Sequence, residues 1–142
     1  MMKSLVLVTG DRNYTDHEYL RQFLLTFHLN FDILKLVHGD AKGADTMADQ
    51  WAKSAAIPVQ AYPAQWDRYG RAAGPIRNRA MWDAEMPDVV IAFHKNLSES
   101  RGTKDMMTYA TERGAWVIHA DKEDPNKLQP PVSLWDTNDA EV

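Results

Sequence analysis

Two hydropathic rhythms alternate along this chain. Short, continuous apolar runs at 4–10 (SLVLVTG), 33–39 (ILKLVHG), 89–93 (VVIAF) and 115–120 (AWVIHA) read as strands buried on both faces, with 58–63 (PVQAYP) as a shorter one. Between them the apolar residues fall at helical spacing. A capping-box signature, Thr15-x-x-Glu18, precedes a stripe of Tyr19, Leu20, Phe23, Leu24 and Phe27. A second helix is predicted over 43–56, with Ala44, Met47, Ala48, Trp51, Ala52 and Ala55 inward. After a loop of about a dozen residues, Gly74-Pro75 opens a third helix that runs to Met86, and a fourth is predicted over 101–113 with Gly114 as its C-terminal cap.

Strand and helix thus alternate through five strands. Such a pattern predicts an α/β, doubly wound (Rossmann-like) five-stranded parallel sheet with helices on both faces and right-handed crossovers. The length of 142 residues suits one domain, assigned to residues 1–120. Residues 121–142 form an acidic, proline-containing C-terminal tail, loosely attached, which Leu134 and Trp135 would pin to the body.

Composition narrows the function classes. There is no cysteine, hence no disulfide framework and no thiolate metal site. The apolar run Leu5–Val8 is too short for a signal core or a membrane span, so a soluble, cytoplasmic protein with no membrane partner is expected. The tail holds six acids and two lysines and carries the whole net charge of −4, while residues 1–120 balance. A balanced body leads to the expectation of no duplex nucleic acid as partner, while leaving room for a local anion site. Arg68, Arg71, Arg77 and Arg79 lie in a stretch without an acid, which is either such a site or a solvated basic loop.

In open parallel sheets ligands bind beyond the carboxyl ends of the strands. The first strand leaves through Gly10, Asp11 and Arg12, the second through His38, Gly39 and Asp40 toward Gly43 and Asp45, and the fourth through His94 toward Ser100, Arg101, Gly102, Thr103 and Lys104. Glycine admits close backbone approach, arginine offers a planar fork to phosphate, and helix N-termini present unpaired amides. Neither "HGDAKGAD" nor "SRGTKD" has the spacing of a dinucleotide fingerprint or of a phosphate loop.

The motifs "TGDRNYTD", "HGDAKGADTMA", "AGPIRNRAM" and "SRGTKDM", in that order, resemble the YspA (cpYpsA-related) group of the SLOG superfamily, related to DprA and to the LOG nucleotide phosphoribohydrolases. The resemblance covers residues 4–119 and implies a nucleotide-type small molecule as ligand and a homodimer or higher homo-oligomer. LOG enzymes use an arginine of an Arg-Lys pair and a glutamate after Gly-Thr. Arg77 of "IRNRAM" stands at the arginine position with Asn78 at the lysine position, but Met106 stands where the glutamate belongs, and Asp105 is a partial substitute one residue earlier.

Two functions follow. The first is binding of a nucleotide or an NAD- or ADP-ribose-derived molecule, as sensor or sequestering protein. The alternative is hydrolysis of an N-glycosidic or phosphate bond with Asp11, Asp40 or Asp105 as carboxylate, Arg77 and Asp105 being the catalytic candidates. In both, the amides of Gly102 and Thr103 with Lys104 would hold a phosphate opposite Arg77. Gly39 and Gly43 would admit the sugar, Asp11 or Asp45 would accept from its hydroxyls, and Arg12 would meet a second phosphate. No cofactor and no metal are expected, and His38, His94 and His119 are read as hydrogen-bonded structural histidines in preference to metal ligands. Trp66, Tyr69 and Trp82 either stack on a base or pack the long loop, and Trp51 and Trp82 either line a subunit interface or belong to the core.

Overall fold

The computed structural model describes residues 3–134. In chain order the elements are β1 (Ser4–Gly10), α1 (His17–Phe31), β2 (Ile33–His38), α2 (Ala44–Ser54), β3 (Val59–Ala61), α3 (Trp66–Tyr69), α4 (Ala73–Glu85), β4 (Val89–Phe93), α5 (Gly102–Glu112) and β5 (Trp116–His119). The five strands pair in parallel in the order β3-β2-β1-β4-β5. This is the doubly wound arrangement the apolar runs predict.

Alternation along each strand decides which helices cover which face. Val6, Val8, Leu36, Ile91 and Phe93 pack with α1 and α2 through Leu20, Leu24, Phe27, Ala48 and Trp51. Leu7, Val37 and Val90, one register off, pack with α4 and α5 through Met81, Trp82, Met106 and Ala110. Chain leaves β1 toward β2 and arrives at β4 on the other side of β1, so the strand order reverses between β1 and β4, and a crevice opens at their carboxyl ends.

Three sequence expectations change and one open alternative closes. The N-cap of α1 is Asp16, whose carboxylate accepts from the Tyr19 amide at 3.2 Å, because Thr15 lies one residue too early. The loop before the third predicted helix folds locally into α3 and a 3-10 turn at Gly70–Ala72. Trp51 and Trp82 are 7% and 8% exposed, so both belong to the core of the single chain. The tail is docked as far as residue 134: Asp121 accepts from the His94 amide (2.9 Å) and the Tyr14 hydroxyl (2.7 Å), Lys127 donates to the Ala120 carbonyl (3.0 Å), and Leu128 and Leu134 pack on the α1/α2 side. Trp135 lies outside the described residues. Gly114, at φ +82°, is the left-handed residue just beyond α5, as predicted. No described helix is long and apolar enough to cross a membrane.

Candidate functional site

The end of β2 is held by its own side chains. His38 is 1% exposed; its Nδ1 accepts from the Asp40 amide (2.9 Å), so its Nε2 carries the hydrogen and donates to Asp49 (2.7 Å). From the first turn of α2, Asp45 reaches back under the loop, and its Oδ2 accepts from the amides of Gly39 (3.1 Å) and Ala41 (3.2 Å). Its Oδ1 is buried and is the one orphaned side-chain oxygen among the described residues. Burial pushes the Asp45 carboxyl up to about 6, against the pull of the two amides and of Arg77.

Arg77 of α4 lies across this loop. Its Nη1 donates to the Gly39 carbonyl and to the Tyr62 carbonyl (3.4 Å), and its Nε donates to Asn78 Oδ1 (2.9 Å). A Cβ on Gly39 would stand 2.2 Å from Nη1, so the guanidinium occupies the space a side chain would need. No carboxylate of the described residues is within ion-pair distance of Arg77. Burial lowers its affinity for a proton, and Asp45 and Asp40 oppose this from farther away.

The end of β1 is set by contact with α2. A Cβ on Gly10 would meet the Phe93 carbonyl at 2.4 Å and Ala44 at 2.7 Å, so Gly10 serves packing between β4 and α2. Gly43, at φ +72°, presses backbone to backbone on the next loop: a Cβ there would meet the Asp11 carbonyl at 2.4 Å and the Arg12 carbonyl at 2.6 Å. The Asp11 side chain accepts from the Asn13 amide (2.9 Å) within its own exposed turn. Arg12 and Lys42, brought side by side by this contact, are exposed and without ion-pair partners.

The β4 end is different. Ser100 Oγ accepts from the Thr103 amide (3.0 Å), which caps α5 and takes that amide from any ligand. Asp105 holds Arg79 through two bonds of 2.9 Å and accepts from Asn78 Nδ2 (3.0 Å), so it staples α4 to α5. Met106 is fully buried on the α4/α5 side of the sheet, where a glutamate would face the core. Lys104 lines a separate groove with Leu97, Met107 and Val117, and Arg101 is exposed. The residue that spans from α4 to Gly102 is Asn78, which donates to its carbonyl at 3.4 Å, while the Arg77 guanidinium is committed to the β2 side.

The residues Gly39, Asp40, Asp45, Arg77 and Asn78 therefore share one locus around His38, with Gly10, Asp11, Arg12 and Gly43 beside it. Ser100, Arg101, Gly102, Thr103 and Lys104 form the start of α5. His94 and His119 are tied to the scaffold, His94 Nδ1 accepting from the Asn96 amide (3.1 Å) and His119 donating to the His94 carbonyl (2.6 Å). No group of three metal-ligating side chains occurs among the described residues. Trp66 (57% exposed) and Tyr69 (38%) stand on the surface of α3, and Trp82 does not. Asp49, Tyr62 and Asp121 were not legible as partners, because each acts across 11 to 107 residues of sequence with no local pattern.

The YspA, cpYpsA-related SLOG family model matches residues 5–69. Over 120 residues the chain is 35% identical to the Gene 61 protein of Mycobacterium phage D29, covering 80% of this chain and 94% of that protein. Among solved structures, DNA processing protein A (DprA) from Streptococcus pneumoniae is similar in fold, with TM-score 0.62 at 20% identity over 87% of this chain. The chain spans 52% of the DprA chain. That likeness corrects one expectation: a DNA-processing protein shares this fold, so duplex nucleic acid is not excluded by the balanced charge of residues 1–120. Charge balance over a whole body says little about a local face. By its motifs, its fold and its phage relative, the chain belongs to the YspA, cpYpsA-related SLOG family.

Proposed function

We propose that this protein binds a phosphate-bearing, nucleotide-type small molecule at the carboxyl ends of β1 and β2, as a sensor or sequestering protein. Family membership supports a nucleotide-related role. The observation that carries the reading is Arg77: a half-buried guanidinium pinned by carbonyls and an amide, without a carboxylate in ion-pair range. A phosphate supplies the missing counter-charge with charge-assisted hydrogen bonds, whereas the space over Gly39 is filled by the guanidinium itself and admits no sugar. ADP-ribose and other NAD-derived molecules are the finer class.

Binding is favoured over hydrolysis because the acids are committed. Asp105 serves Arg79 and Asn78, Asp11 serves its own turn, and position 106 points into the core. Asp40, exposed and at φ +58° beside Arg77, is the one acid of the three with an unoccupied carboxylate, so turnover, if found, runs through it. Mass spectrometry of small molecules released by denaturing the purified protein tests binding, and chromatography of free base from nucleoside monophosphates tests turnover. A co-purified phosphate ester with no base release is expected. Efficient base release abolished by Asp40→Asn would replace binding with hydrolysis.

A further inference from the structure

Between the β1–α1 loop and the first two turns of α2 lies an open cleft of ≈ 530 Å³, on the α1/α2 side of the site. Arg12, Asn13, His17, Lys42, Thr46 and Gln50 supply its polar wall, Met47 contributes to its apolar lining, and no carboxylate lines it. Most nearby acids are committed: Asp16 to the α1 amide and Lys95, Asp49 to His38 and Lys53, Asp11 to Asn13, and Asp45 beneath the loop, while the exposed Asp40 does not line the cleft. Arg12 and Lys42 form no ion pair among the described residues. Gly43 makes the cleft, since its missing side chain lets the two cation-bearing loops touch.

We infer that this cleft is a second anion seat, which takes the distal phosphate of a ligand whose first phosphate lies at Arg77. Lys42 is three Cα steps along the chain from Gly39, under Arg77, so their Cα atoms are at most about 11 Å apart. One ligand with two linked phosphates, a nucleoside diphosphate or a diphosphate-bridged nucleotide, reaches both. That ligand class rests on the binding reading above; the anion seat itself does not.

Two measurements separate them. In an amide NMR titration with inorganic pyrophosphate, shifts concentrated at residues 42–46 are expected, lost in Lys42→Glu and kept in Arg77→Ala. Shifts that spare residues 42–46, or that survive Lys42→Glu, would overturn the seat. In calorimetry, Lys42→Glu and Arg12→Ala are expected to weaken ADP-ribose about tenfold and AMP less than about threefold, the worth of one charge-assisted contact. An equal loss for AMP would overturn the two-seat division. Pyrophosphate shifts as described, with no nucleotide bound by the wild type, would sustain the seat and sink the nucleotide reading. Lys42 and Arg12 are exposed, so the fold tolerates their substitution.

Discussion

The ends of β2 and β4 begin alike and finish differently. A buried histidine ends β2 and directly follows β4, and in each case its Nδ1 accepts the amide two residues on, Asp40 after His38 and Asn96 after His94. Beyond that, the β2 loop has Gly43 locked against backbone, Gly39 with the Arg77 guanidinium in its side-chain space, a buried carboxylate holding its amides, and cations without ion-pair partners. The β4 loop has a capped α5, an acid locked to Arg79, and Gly102 with nothing within 4 Å of a Cβ. One end is preorganised with its charges left over, and the other has spent its charges on joining α4, α5 and the tail. This contrast is why the proposed binding is assigned to the ends of β2 and β1, with α5 as scaffold.

The largest expected effect is on the scaffold side. Met106→Glu places a carboxylate in the sealed core and should cost about 4 kcal/mol or unfold the protein, whereas Met106→Leu stays within about 1.5 kcal/mol by thermal melting. A well-folded, newly active Met106→Glu protein would mean that α5 faces the ligand after all. Next come the glycines. Gly43→Ala combines a left-handed backbone with a clash against two carbonyls and should lose about 3 kcal/mol, while Gly102→Ala changes stability by less than about 0.5 kcal/mol in denaturant titrations. Equal losses would erase the contrast between the two ends.

A smaller effect concerns pH. Because the folded Asp45 carboxyl sits near 6, above its unfolded value, the native state holds more protons than the unfolded chain through the acid range. Its contribution is present below the unfolded value and is lost as pH rises through 6. Asp45→Asn removes this loss, so its stability relative to wild type should rise by about 2 kcal/mol between pH 4 and pH 6.5. A flat difference would show that Asp45 is not buried as described. The smallest effect is Asp105→Asn. Its carboxyl, although burial opposes ionisation, is held below the usual range by Arg79 and Asn78. The stabilisation is present at neutral pH and is lost as pH falls through that lowered value. Arg79 is well exposed, so the substitution should cost only about 1 kcal/mol at pH 7 and leave ligand binding unchanged.

What could be read from the sequence was whatever is local and periodic. The apolar runs and helical stripes placed five strands and the main helices, since short β-branched apolar runs bounded by turn residues fit strands covered on both faces. Gly39 and Gly43 could be singled out because they stand where strands give way to helices. Helix capping was off by one residue, since Thr15 and Asp16 are both competent caps and only the chain's path chooses. The commitments of the acids were hidden. Asp105 finds Arg79 and Asn78 across 26 and 27 residues, and whether an acid is free or spent depends on a helix packing that no short pattern encodes. The same holds for Met106, whose inward direction follows from the rotation of α5 on the sheet.

The central claim is that Arg77, held over Gly39, seats a phosphate. Calorimetric titration of AMP and adenosine into the wild type and into Arg77→Ala tests it most directly. AMP should bind the wild type at least about tenfold more tightly than adenosine, and Arg77→Ala should reduce that preference to less than about threefold, in line with one lost charge-assisted interaction. Equal affinity of the wild type for AMP and adenosine, or a phosphate preference that survives Arg77→Ala in full, would contradict it.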